Sequence, residues 1–114
     1  MKRIYLLGPL SHAEDGGENE YRLAESAFLN EKQIECLHVH KDLQAVNWQA
    51  DNEHLHKTVI HRACEQMLGC EEVVTLKDWE LCPLAKRQMK LALDLNIAVV
   101  PVVNYFPLGY ERRL

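Results

Sequence analysis

Residues 73–103 read VVTLKDWELCPLAKRQMKLALDLNIAVVPVV, and two periodicities within them decide the fold. The runs 73–76 (VVTL) and 97–103 (IAVVPVV) are short, apolar and rich in β-branched residues, as strands covered on both faces are. Between them, residues 83–95 have helical spacing. Leu84, Gln88 and Leu91 share one face, and Lys86, Lys90 and Asp94 form a solvated stripe on the other. Pro83 suits a first helical turn, where its missing N–H costs nothing.

The same alternation extends towards the N-terminus. Residues 3–7 (RIYLL) are a first strand, stopped by Gly8-Pro9, and the polar stretch SHAEDGGENE follows as a loop. Over 18–31 the apolar positions Tyr21, Ala24, Ala27 and Phe28 recur at helical spacing, leaving Arg22, Glu25 and Lys32 for solvent. Residues 34–39 (IECLHV) are a second strand, and the aperiodic connection after it, HKDLQAVNWQAD, is of a length that is commonly functional in a small domain. Residues 52–68 predict another helix with Ile60, Ala63, Cys64, Met67 and Leu68 on one face, His54, His61 and Glu65 on the other, and Gly69 as its stop. The expected class is α/β: a three-layer αβα sandwich on a doubly wound, mostly parallel sheet of about four or five strands, Rossmann-like or flavodoxin-like.

Composition narrows the function. A chain of 114 residues is expected to form one domain, 1–114, and 47% hydrophobic with 26% charged residues excludes disordered and fibrous classes. Seventeen acids against thirteen bases give a net charge of -4, which argues against a nucleic acid partner. The apolar runs are too short to span a bilayer and Gly8-Pro9 interrupts any signal-peptide core, so no membrane partner and a cytoplasmic location are expected. Cys36, Cys64, Cys70 and Cys82 lack CxxC spacing and read as buried thiols in a reducing compartment.

Ligands of open α/β sheets bind outside the carboxyl ends of the strands, where strand order reverses. This limits candidate site residues to the neighbourhoods of Gly8–His12, His38–Asp42, Lys77–Cys82 and Asn104–Phe106. Trp79, taken as the end of the third strand, and Trp48, in the long connection, are candidate stacking surfaces for a base. Covering the edge of the core is the plainer reading of both: it weighs equally for Trp48, and for Trp79 the crevice is favoured. The glycines around the first loop invite a phosphate, but Glu14, Asp15, Glu18 and Glu20 crowd the same stretch and repel one. There is no GxGxxG or Walker pattern, and the histidine pairs His38/His40, His54/His56 and His61/Glu65 match no zinc spacing, so neither a cofactor nor a metal is expected.

Leu7-Gly8-Pro9-Leu10 after a short strand, Gly69-Cys70-Glu71 between helix and strand, and Thr75 to Trp79 followed by Cys82 and Ala85 resemble the nucleoside 2-deoxyribosyltransferase-like superfamily, in particular its small bacterial and phage members. The resemblance spans nearly the whole chain. It implies a doubly wound sheet, homo-oligomers with sites near subunit boundaries, a nucleoside or nucleotide ligand, and cleavage or transfer at an N-glycosidic bond. It also implies a catalytic glutamate on the helix after the tryptophan and an aspartate on the helix before, positions that here hold Gln88 and Ala63. A carboxylate can capture an oxocarbenium-like centre where a neutral amide can only hydrogen-bond. The one candidate catalytic acid left is Glu80, beside Trp79, and its plainer reading is a solvated acid favourable to a helix start.

Gly8, Pro9, Trp79, Gln88, Trp48 and Asn104 are thus the expected ligand-binding residues. The aromatic tail, with Tyr105, Phe106 and Tyr110 beside Leu108, either folds onto its own domain or packs on a neighbouring subunit, and the resemblance favours the second. Two functions stand side by side: a nucleoside- or nucleotide-binding protein whose glycosidic chemistry is weak, altered or absent, and a non-catalytic scaffold acting through protein–protein contact or oligomerisation.

Overall fold

A computed structural model describes residues 1–10, 17–41, 43, 48 and 52–110. The expected loop residues Ser11–Gly16, most of the connection between 42 and 51, and the last four residues lie outside that set. Strands β1 (Arg3–Leu7), β2 (Glu35–Leu37), β3 (Glu72–Thr75) and β4 (Ala98–Pro101) pair entirely in parallel in the order β2-β1-β3-β4. Helices α1 (Glu18–Ala27), α2 (Glu53–Met67) and α3 (Pro83–Asp94) connect them, giving an α/β fold with a switch in strand order between β1 and β3. No helix among the described residues is long and apolar enough to cross a membrane.

Local chemistry places the boundaries. The Asn52 side chain accepts from Leu55 N at 2.8 Å and so starts α2. Helix α3 begins at Pro83 and ends with Asn96 in the left-handed region (φ 59), from which Asn96 N reaches Leu93 O and Ile97 N reaches Ala92 O. That pair of bonds satisfies two carbonyls that the helix end would otherwise leave bare. Helix α1 was expected to run to residue 31. It widens instead into a π-helical turn, Phe28–Lys32, and stops at Gln33 (φ 54), which turns the chain into β2.

Packing follows position in the sheet. Ile4 to Leu7 on β1 and Val73 to Thr75 on β3 are buried, whereas the β4 residues Val99 and Val100 are only half-buried because β4 is an edge strand. Three expectations need correction. Strand β4 stops at Pro101, and residues 102–104 form a 3₁₀ turn in which the Val102 carbonyl accepts from both Tyr105 N and Phe106 N. The inner face of α2 is Leu55, His56, Val59, Ala63, Gln66 and Met67, while Leu68 is exposed at the C-cap. Phe106 and Tyr110 are buried within this chain, so the described part of the tail covers its own core, while Val103, Pro107 and Leu108 are exposed.

Candidate functional site

Past Thr75 the chain makes one more bond to β1, from Leu76 N to Leu7 O at 2.8 Å, and then leaves the sheet. Asp78 takes a left-handed conformation (φ 65) that turns the backbone into the 3₁₀ turn Trp79–Leu81. Trp79 therefore does not end a strand, as expected from sequence. It opens the turn between β3 and α3, and this swings its half-buried ring to the side of β4. There it lines a cavity of about 330 Å³ at the carboxyl ends of β3 and β4.

One wall of the cavity is the β3–α3 connection: Lys77, Asp78, Trp79 and Glu80. The opposite wall is the tail: Phe106, Pro107, Gly109 and Tyr110. Thr75, Leu76 and residues 101–103 complete it. The tail wall is anchored at several points. Phe106 packs edge-on against Phe28 at 4.9 Å between centroids, Gly109 (φ 86) turns the chain, and the Tyr110 hydroxyl donates to Glu20 Oε1 at 2.7 Å. Further down, Tyr105 packs on Phe28, accepts from Lys2 Nζ and donates to Glu72, tying the tail to the start of β1 and β3.

Volume, apolar walls and a few polar groups at the rim are the ordinary make-up of a small-molecule site. Aromatic residues stand on both walls, Trp79 on one and Phe106 with Tyr110 on the other. The charges are exposed: Lys77, Asp78 and Glu80 all face solvent, and a well-hydrated carboxylate is a poor nucleophile for a glycosidic carbon. Thr75 is the buried polar residue at the cavity floor.

Of the expected site residues, Trp79 and Glu80 line this cavity; Gly8, Pro9, Trp48, Gln88 and Asn104 do not. Gln88 has 0% exposure and lies between α3 and the sheet, where its Oε1 accepts from Tyr5 OH at 2.6 Å. Its Nε2 is buried without a partner among the described residues. Ala63 is equally buried, on the inner face of α2. Gly8 offers no free backbone group, since the Tyr21 hydroxyl accepts from its N–H at 2.7 Å and donates to its carbonyl at 2.8 Å. Burial pushes that phenol far above its usual range, so it stays a neutral bridge. Trp48 is buried against the His40 ring at 4.8 Å, and Asn104 is exposed at the end of its turn.

Lys77, Asp78 and Phe106 lie in the expected strand-end neighbourhoods without having been named as ligand contacts, and Pro107, Gly109 and Tyr110 were missed from sequence. The tail's cluster of aromatics was the available signal; folding back onto the domain was one of the two readings it allowed, and the resemblance favoured the other, a subunit contact. All four cysteines are free, and burial pushes the Cys36 thiol up to about 12 and the Cys70 thiol to about 11, which leaves both unreactive. Among the described residues no three His, Cys, Asp or Glu side chains gather as a metal site. No protein-family model matches the chain, and a search of curated proteins found no match either.

Proposed function

We propose that this chain is a nucleoside- or nucleotide-binding protein related to the nucleoside 2-deoxyribosyltransferase-like superfamily, with glycosidic cleavage or transfer weak, altered or absent. The observation that carries the reading is the cavity of about 330 Å³ between Trp79 and the aromatic tail, at the carboxyl ends of parallel strands. A nucleoside would stack its base against Trp79 and present its sugar to the Asp78 and Glu80 rim. Weak chemistry follows from the residues themselves: Gln88 is a neutral amide held by Tyr5, Ala63 has no carboxylate, and Glu80 is exposed. The finer architecture belongs to the same reading. Right-handed crossovers on the order β2-β1-β3-β4 would put α1 on one face and α2 with α3 on the other, a doubly wound three-layer sandwich of Rossmann-like type. The contact between α2 and α3 is in keeping with this.

Thermal unfolding with and without millimolar nucleosides, deoxynucleosides and their monophosphates tests the proposal. A ligand present at ten times its Kd adds about 1.4 kcal/mol of stability, an easily read shift. A selective shift that disappears in Trp79→Ala supports the site, and no shift with any member of the panel sinks it. The scaffold reading has an observation of its own. Leu81, Val103 and Leu108 are large, exposed and neighbour or line the cavity, with Leu108 at 75% exposure. If the panel is silent, sedimentation analysis of Leu81→Ser with Leu108→Ser asks whether that apolar rim holds a second copy or another protein.

A further inference from the structure

The carboxyl end of β2 holds a side chain that the cavity does not use. His38 is 2% exposed, and its Nε2 lies 2.9 Å from Glu25 Oε1. The other oxygen of that carboxylate takes Lys41 Nζ at 2.7 Å. A carboxylate only accepts, so in the neutral imidazole Nε2 carries the proton and Nδ1 the lone pair. Nδ1 is buried and meets no partner among the described residues.

Rings surround it instead. Tyr21 stands 5.2 Å and His40 6.1 Å from the His38 ring, and His40 packs in turn on Tyr21 at 4.9 Å and on Trp48 at 4.8 Å. The titratable groups that act on His38 are Glu25 and Tyr21 from α1, and His40 and Lys41 from the turn Val39–Lys41. Helix α2 contributes Gln66, which donates to the His38 carbonyl, and β2 contributes Cys36, a thiol kept neutral by burial.

We propose that protonation of His38 at Nδ1 is an acid-triggered release of the β2 end, in which the stack of His38, Tyr21, His40 and Trp48 opens to hydrate the new N–H. A proton from water would turn the lone pair into a donor with no acceptor inside the closed stack. Opening supplies water as the acceptor. Burial holds the closed imidazole below the ordinary value of 6.5, outweighing the opposite pull of Glu25, while an opened imidazole titrates near that value. The closed arrangement is therefore complete above pH 6.5 and is lost as pH falls from there towards the closed-state value. Across that window the open-to-closed ratio rises about tenfold per pH unit.

The sequence has two tryptophans, so Trp79→Phe leaves Trp48 as the one emitter. Emission wavelength, acrylamide access and far-UV circular dichroism are followed from pH 8 to 5. The expected result is a red shift and greater quencher access beginning near pH 6.5, with the circular dichroism retained. Wavelength and quencher access are read together because a charge beside the indole changes its emission without admitting a quencher. His38→Gln should remove the shift. Glu25→Gln, which deprives the closed imidazolium of its carboxylate, should move it to higher pH. A shift that persists in His38→Gln, a Trp48 that stays buried to pH 5, or loss of circular dichroism in the same step overturns the proposal. Should His38→Gln not fold, ¹⁵N NMR of the His38 ring decides: protonation of Nδ1 must coincide with the Trp48 transition, and separate midpoints refute the link.

Discussion

At the β1–β2 end of the sheet, the Tyr21 hydroxyl takes both backbone groups of Gly8, Glu25 takes His38, and Trp48 closes over His40. At the β3–β4 end, Asp78 and Glu80 point to water, Trp79 is half-buried, and a cavity separates the strand ends from the tail. Both ends occupy the place where α/β sheets carry ligands, and both are aromatic. What separates them is how the polar groups are satisfied. Apart from His38 Nδ1, the first end meets its own needs internally and is part of the core; the second leaves surface and charge for something else to meet.

Substitutions can break or sharpen that contrast. The largest effect is expected from Gln88→Glu, which puts a carboxyl where exposure is 0%. Burial raises the pKa of such an acid, so its penalty is absent below the ordinary glutamate value of about 4.3 and grows as pH rises, to about 3 kcal/mol at pH 8. Urea unfolding at pH 5 and pH 8 reads it. Equal stability at the two would mean that water reaches position 88 and that the interior extends to the ligand's side. Tyr21→Phe strips both partners from Gly8 and should cost about 2 kcal/mol at any pH between 6 and 8, with no change in ligand affinity.

At the open end the order of effects reverses. Trp79→Ala should lower nucleoside affinity by about 1–3 kcal/mol, measured by calorimetry, and cost less than that in unfolding free energy. Equal losses in both would make Trp79 a core residue and erase the distinction. Glu80→Gln, the mildest change, should leave stability unaltered and shift preference towards monophosphates by about fivefold as one repelling charge is removed.

Much of this was legible in the sequence because period and punctuation are local. Strand β1 has the expected bounds, Pro83 starts α3, and the stripe Lys86, Lys90 and Asp94 is exposed opposite buried Leu84 and Gln88. What was not legible depends on three-dimensional neighbours. Leu68, expected on the inner face, is exposed, and Gln66, which the periodicity did not place there, is buried where its side chain finds the His38 carbonyl. Trp79 leaves the strand because Asp78 adopts a positive φ, which a side chain type predicts weakly. The tail's partners, Phe28, Glu20, Lys2 and Glu72, lie far away in sequence, and no window of periodicity brings them together.

The register of the sheet also bears on how the chain reaches this structure. Arg3 pairs with Glu35 and Thr75 with Pro101, so the β1–β2 and β3–β4 pairings each join residues near in the chain, whereas Leu7 must find Thr75 across more than half of it. Loop-closure entropy makes that last encounter the slow one. Its tightest point is Gly8, where an added Cβ would stand 3.0 Å from that of Leu76. Kinetically, the protein is two local units waiting on one seam, and a methyl group at Gly8 should slow refolding more than it speeds unfolding.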